Sequence, residues 1–161
     1  MPTDNSEQIA EWNGALGQRW VAMQREIDRI VVPFGDAALK VAAPQSGERV
    51  IDIGCGCGGT SLDIARIVGK AGAVLGIDVS RPMLEVARSR AALADCSHLV
   101  FREGDASEVG LLADTDLLFS RFGVMFFSQP TQALSHLRGS LRAGGRWVTL
   151  ALAARPGSYR L

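Results

Sequence analysis

Residues 50–65 read VIDIGCGCGGTSLDIA, a β-branched apolar run, then glycine at every second position, then a helix-compatible stretch. A strand with no polar face cannot sit at the surface, so the run calls for neighbours on both sides and cover on both faces. Passing from such a strand straight into a helix through glycines is the entry to a strand–loop–helix unit. This segment therefore constrains the whole chain toward a layered α/β arrangement with its loops gathered at one end.

The rest of the sequence repeats the unit. A first strand is expected at 49–53 and a helix at 60–68 with Leu62, Ala65 and Val68 on one face. A second strand at 74–79 leads into a helix at 82–94 opened by Ser80 as its cap. Further strands fall at 99–102, 117–122 and 146–153, and a helix at 130–141 turns Ala133, Leu134, Leu137 and Leu141 inward. Gly144-Gly145 is expected to turn the chain into the last strand. Ahead of the first strand, Trp20, Met23, Ile27, Ile30, Val31 and Phe34 recur at three- and four-residue intervals, which predicts an amphipathic helix over 16–34 ended by Pro33 and Gly35. A shorter helix over 36–43 stops at Pro44. Alternating strands and helices mean βαβ units, a parallel sheet and right-handed crossovers. Such open sheets bind ligands beyond the carboxyl ends of their strands, where the strand order reverses.

Composition narrows the class. Seventeen basic residues balance seventeen acidic ones, so no overall field draws the chain to nucleic acid or an anionic membrane. No apolar stretch nears the roughly 18 residues of a membrane span, and the N-terminus lacks the pattern of a secretory signal. Three cysteines make no disulfide framework, and a cytoplasmic setting follows as the expectation. Cys55 and Cys57 have no histidine nearby, and Cys96 stands apart; the expected metal content is none, with the cysteines as small packing residues.

The loop itself admits two ligands. Gly54, Gly56 and Gly59 match the dinucleotide spacing G-x-G-x-x-G, while Gly54, Gly56 and Gly58 match G-x-G-x-G with Asp52 two residues ahead. A carboxylate there disfavours a pyrophosphate and favours a ligand with an ammonium or sulfonium group. Asp78, ending the second strand, stands where an acidic side chain accepts hydrogen bonds from both ribose hydroxyls. Asp105 follows the third strand, where an adenine amino group would be met. Three carboxylates at three consecutive strand ends describe an adenosine with a cationic amino-acid tail, S-adenosylmethionine.

With VIDIGCGCGGTSLDIA, LGIDVSRPMLEVAR, REGDA, LLFSRFGVMFF and LRAGGRWV in this order, the chain resembles the class I S-adenosylmethionine-dependent methyltransferases. SRFGVMFF and WNGALGQRWV are similar to the ubiquinone and menaquinone biosynthesis group. The resemblance implies a Rossmann-like open parallel sheet of order 3-2-1-4-5 in a single domain, with a helical lid over 1–46, a cofactor-binding core over 47–153 and a tail over 154–161. It implies that Gly54, Gly56 and Gly58 run along the methionine moiety with Asp52 supporting the loop. Asp78 would hold the ribose, Val79 and Met83 flank the adenine, and Asp105 with the Ala106 backbone meet the adenine amino group. Ser120 and Arg121 would offer backbone contacts near the methionine amino group, and Trp12 and Trp20 would belong to the lid. No catalytic residue is assigned: His98 is expected at a strand start and His136 packed on a helix, and Arg138, Arg142, Arg146, Arg155 and Arg160 as a solvated face.

The implied activity is methyl transfer to a small-molecule acceptor. Family members carry a helix and a hairpin after the fifth strand, so WVTLALA is expected to be an apolar edge strand open to pairing with a second copy. The alternatives are a shortened, inactive S-adenosylmethionine-binding protein needing a partner chain, and a nicotinamide-dependent oxidoreductase.

Overall fold

The computed structural model describes residues 5–111 and 113–152; the expected tail and the last residue of the expected fifth strand, Ala153, lie outside the described residues. Five parallel strands, β1 Arg49–Ile53, β2 Ala73–Asp78, β3 Leu99–Glu103, β4 Thr115–Arg121 and β5 Leu141–Leu150, form one sheet in the order β3-β2-β1-β4-β5. The helices are α1 Ser6–Asn13, α2 Ala15–Ala22, α3 Gln24–Ala42, α4 Gly59–Val68, α5 Arg81–Leu93 and α6 Pro130–Arg138.

Two apolar clusters show how the sheet is covered. On one face Val50, Val74, Leu117 and Phe119 meet Ala38 and Ala42 of α3, Leu62, Ala65 and Val68 of α4, and Leu84 and Ala87 of α5. On the other, Ile51, Ile53, Ile77 and Leu118 meet Leu137 of α6. Burial on both faces is why β1 and β4 read as largely apolar runs.

The N-terminal helices depart from the expected pattern. The helix expected over 16–34 is broken at Met23, and α3 continues through Pro33 to Ala42, taking in the short helix expected over 36–43. Proline in a helix interior removes one hydrogen bond and costs about 3 kcal/mol. Here the last turns of α3 bury Ala38 and Ala42 against the sheet, and that packing carries the helix past the proline. The real stop is Ala43 in a left-handed conformation, its N–H donating to Leu39 O at 2.8 Å just before Pro44. The apolar stripe that predicted the helix is only partly its buried face: Ile30 is 68 % exposed and Ile27 and Val31 are half-buried, while Gly35, Ala38 and Ala42 are buried.

Two further corrections concern the C-terminal part. α6 ends at Arg138 and leaves Leu134 exposed, and Leu141, expected as the helix's last inward residue, opens β5. Gly144-Gly145 is no turn between elements but a bulge inside β5: Leu141 pairs with Thr115, Arg146 with Leu117, and the register shifts between them. Arg146 is not simply solvated. Its guanidinium grips Glu48 bidentately at 2.7 and 2.8 Å and donates to the Ala42 and Ala43 carbonyls at the end of α3. Arg142 pairs with Asp116, whereas Arg155 and Arg160 lie outside the described residues.

Candidate functional site

The carboxyl ends of β1, β2 and β3 meet at the glycine loop. Gly54 and Cys55 donate their N–H groups to Ile77 O at 2.8 and 3.1 Å, and Gly58 donates to Cys55 O, coiling the loop over the end of β2 into α4. Gly54, Gly56 and Gly58 have φ of 70°, 54° and 77°. At Gly54 the reason is closeness as well as turn: a Cβ there would stand 2.5 Å from Gly123 Cα, at the end of β4. The loops of β1 and β4 thus touch backbone to backbone.

Asp78 is the hub of the site. Its Oδ2 accepts from Gly56 N–H at 2.8 Å and its Oδ1 from Ser80 N–H at 2.9 Å, so the end of β2 holds the glycine loop directly. Burial pushes its carboxyl up, and the N–H groups of Ser80, Gly56 and Val79 pull it back. Each carboxylate oxygen has a second lone pair with which to accept a further donor. Asp78 O also accepts from Gly104 N–H at 2.9 Å, which draws the next strand end, with Asp105, toward it. Asp105 turns one oxygen to the Ser107 N–H and hydroxyl and the other to Asn5. Met83 and Ala106 are both buried, with Met83 Cε 2.9 Å from where a Gly56 side chain would begin.

Asp52 sits deeper than the sequence reading places it. It is 1 % exposed and accepts the Ser61 hydroxyl at 2.6 Å, beneath the loop rather than at its mouth. Burial raises its carboxyl to about 6, Ser61 and Arg121 lower it, and Asp78 raises it. Its role in the geometry is to hold the start of α4, and it offers no oxygen to a ligand above. Ser120 is equally structural: its hydroxyl donates to Ile53 O at 2.8 Å and accepts the Val124 N–H. The Arg121 side chain faces α3 and lines a cavity of about 220 Å³ with Asp28, Gly35, Thr60 and Arg90; it is the one predicted site residue there.

Ser80 caps α5 by position only, since its hydroxyl donates to Trp12 O at 2.8 Å. Trp12 meets Trp20 edge-on at 5.3 Å and Phe126 at 5.8 Å, forming an aromatic cover beside the end of β4. Phe34 of α3 meets Phe122 at 5.8 Å, and Phe119 is wholly core. His98 and His136 are tied to the Ala65 and Val109 carbonyls, away from the loop. Burial raises both loop thiols, Cys57 to about 11, which takes them out of thiolate chemistry. Among the described residues no helix is long and apolar enough to cross a membrane. Sequence reasoning missed Asn5 and Asn13, whose long-range contacts no local spacing announces, and Ser61, which reaches Asp52 within the loop segment itself.

The profile of a family described as a methyltransferase domain matches residues 50–145, from the start of the glycine loop's strand into β5. The chain belongs to this methyltransferase domain family. Its curated relatives include aklanonic acid methyltransferase DauC of Streptomyces sp. (strain C5), 33 % identical over 128 residues, covering 79 % of this chain and 58 % of that one. The ubiquinone/menaquinone biosynthesis C-methyltransferase UbiE of Ruegeria sp. (strain TM1040) is 30 % identical, covering 75 % and 49 %. The chain spans about half the length of the curated relatives it matches. Among solved structures, phosphoethanolamine N-methyltransferase 2 of Haemonchus contortus in complex with S-adenosyl-L-methionine superposes with a TM-score of 0.67 at 28 % identity, covering 73 % of this chain and 27 % of that one. The methyltransferase domain family thus accounts for the sheet order and for the loop at its centre.

Proposed function

We propose that the protein binds S-adenosylmethionine and transfers its methyl group to a small, flat, apolar acceptor. The observation that carries this reading is Asp78, a carboxylate at the end of β2 hydrogen-bonded to the glycine loop's own Gly56 N–H, with Asp105 one strand further on. Asp78 would accept the ribose hydroxyls, Val79, Met83 and Ala106 would flank the adenine, and Asp105 would take its amino group. Backbone at Gly54 and Gly56 and at Ser120 and Arg121 would line the methionine part. Bound S-adenosylmethionine supplies a methyl group on a positively charged sulfur whose leaving group is already activated. The chain's own task is then alignment, and well-oriented reactants gain effective molarities of about 10⁵ to 10⁸ M. The aromatic cover of Trp12, Trp20 and Phe126 supports a flat acceptor, as do relatives named for aklanonic acid and for quinones. No general base is assigned.

Isothermal titration tests the reading. S-adenosylhomocysteine is expected to bind saturably and NAD not at all, and Asp78→Ala is expected to weaken binding at least ten-fold, about 1.4 kcal/mol. Absence of binding at millimolar S-adenosylhomocysteine would remove the proposal.

A second copy of the chain is the proposed partner for β5, an edge of the sheet among the described residues. Sedimentation velocity is expected to give a concentration-dependent dimer; a monomer throughout the micromolar range would speak against pairing.

A further inference from the structure

The residues assigned to adenosine already have occupants, and these come from the chain's own N-terminus. Asn5 Nδ2 donates to Asp105 Oδ2 at 2.9 Å, the oxygen not committed to Ser107. Asn13 Nδ2 donates to Val79 O at 2.8 Å, and Asn13 Oδ1 accepts the Arg81 N–H at 3.0 Å. Between them the Trp12 carbonyl takes the Ser80 hydroxyl. Asn5 presents an NH₂ on a planar carbon to a carboxylate, which is the kind of donor that an adenine amino group presents. The cavity lined by Thr60 and Arg121 lies on the α3 side, and none of these residues lines it.

The hold of α1 on this edge is thin. It is a helix of 8 residues with no buried residue and no side-chain N-cap, separated from α2 by the break at Gly14. A helix so short is marginal in isolation, and a segment fixed by a few polar contacts, exposed or half-buried, belongs to the low-stability end of a structure. Among the contacts that fasten α1 are the hydrogen bonds of Asn5 with Asp105 and of Asn13 with Val79, the two acceptors being residues assigned to adenosine. Those of Trp12 with Ser80 and of Asn13 with Arg81 lie just beyond them, and the Trp12 ring contacts join these.

We propose that α1 is an internal competitor for the adenosine end of the site, with Asn5 standing in for the adenine amino group. The inference rests on the cofactor reading above. Adenosine enters only when Asn5 and Asn13 release their partners, so the measured affinity is the intrinsic one reduced by the fraction of molecules with α1 detached. Removing an Asn5 contact raises that fraction and tightens binding.

The test is titration of the full chain and of Asn5→Ala with S-adenosylhomocysteine and with adenosine, together with hydrogen exchange of the wild-type α1 amides. The expected result is about two- to ten-fold tighter binding of both ligands by Asn5→Ala, the worth of one hydrogen bond. Exchange in α1 is expected to quicken when wild type is saturated with S-adenosylhomocysteine. If wild type binds but Asn5→Ala binds no better, or if α1 exchange slows, α1 is a clamp; the competitor idea falls and the cofactor reading stands. If neither protein binds at millimolar ligand, the cofactor reading fails and takes the competitor with it. Should Asn5→Ala not fold, the exchange measurement on wild type decides alone.

Discussion

Alanine at position 54 is expected to destabilise the protein by about 2 to 5 kcal/mol, a large part of the roughly 5 to 15 kcal/mol that holds a domain together. Two separate penalties add. An L-residue in the left-handed region costs about 1 to 2 kcal/mol, and Gly54 has φ of 70°. The new Cβ would also stand 2.5 Å from Gly123 Cα, and backbone cannot swing aside as a side-chain end can, so overpacking adds about 1 to 3 kcal/mol. Gly47→Ala separates the two, because Gly47 has φ of 84° but nothing within 4 Å of the added carbon. Urea denaturation should place Gly54→Ala well below Gly47→Ala. Equal midpoints would mean that the loops of β1 and β4 do not press on each other.

The second large effect is a pH dependence that Asp52→Asn should remove. Burial raises the Asp52 carboxyl to about 6 in the folded protein, against about 3.9 in an unfolded chain. Between those values the folded state binds the proton more tightly, so stability falls as pH rises from 4 to 6 and stays lower above it. The gap corresponds to about 3 kcal/mol. Asparagine does not titrate and still offers an oxygen to the Ser61 hydroxyl, which donates to Asp52 Oδ2 at 2.6 Å. Part of the gain at neutral pH is offset by losing the attraction to Arg121. Asp52→Asn is therefore expected to be about 2 kcal/mol more stable than wild type at pH 7.5 and nearly equal at pH 4. Asp78, also raised by burial, leaves a slope of the same sign. Parallel profiles for the two proteins between pH 4 and 8 would refute a strained buried carboxylate.

What the sequence disclosed was whatever its own periodicity or glycine spacing encodes. β1 falls at its expected limits and β2, β3, α4 and α5 within a residue of theirs, since each is a short apolar run or a stripe bounded by turn residues. Asp78 stood out because it ends a strand one unit after the loop. The N-terminal helices depart from the sequence reading because packing of small residues, Ala38 and Ala42, overrides the proline at 33 and because several larger apolar side chains, Ile30 and Phe34 among them, face outward. Asp52 was placed correctly along β1 but not in depth, as the depth depends on α4 folding back to bring Ser61 over it. Asn5 and Asn13 act across 100 and 66 residues, and nothing in their neighbourhoods marks them.

The bulge in β5 has the character of a parity switch. From Thr115 to Leu117 β4 advances two residues, while β5 advances five from Leu141 to Arg146. An odd change in that surplus would exchange the two faces for everything downstream, because side chains alternate along a strand. As it stands, Leu141 and Trp147, on either side of the bulge, both lie on the side of α6, while Val148 lies on the side of α3 and α4. Losing one of the two glycines would hand the indole to the cluster built around Val148 and swing Arg146 off Glu48. Length between α6 and the last strand is therefore counted in twos: a pair of residues gained or lost preserves the core, and a single one inverts it.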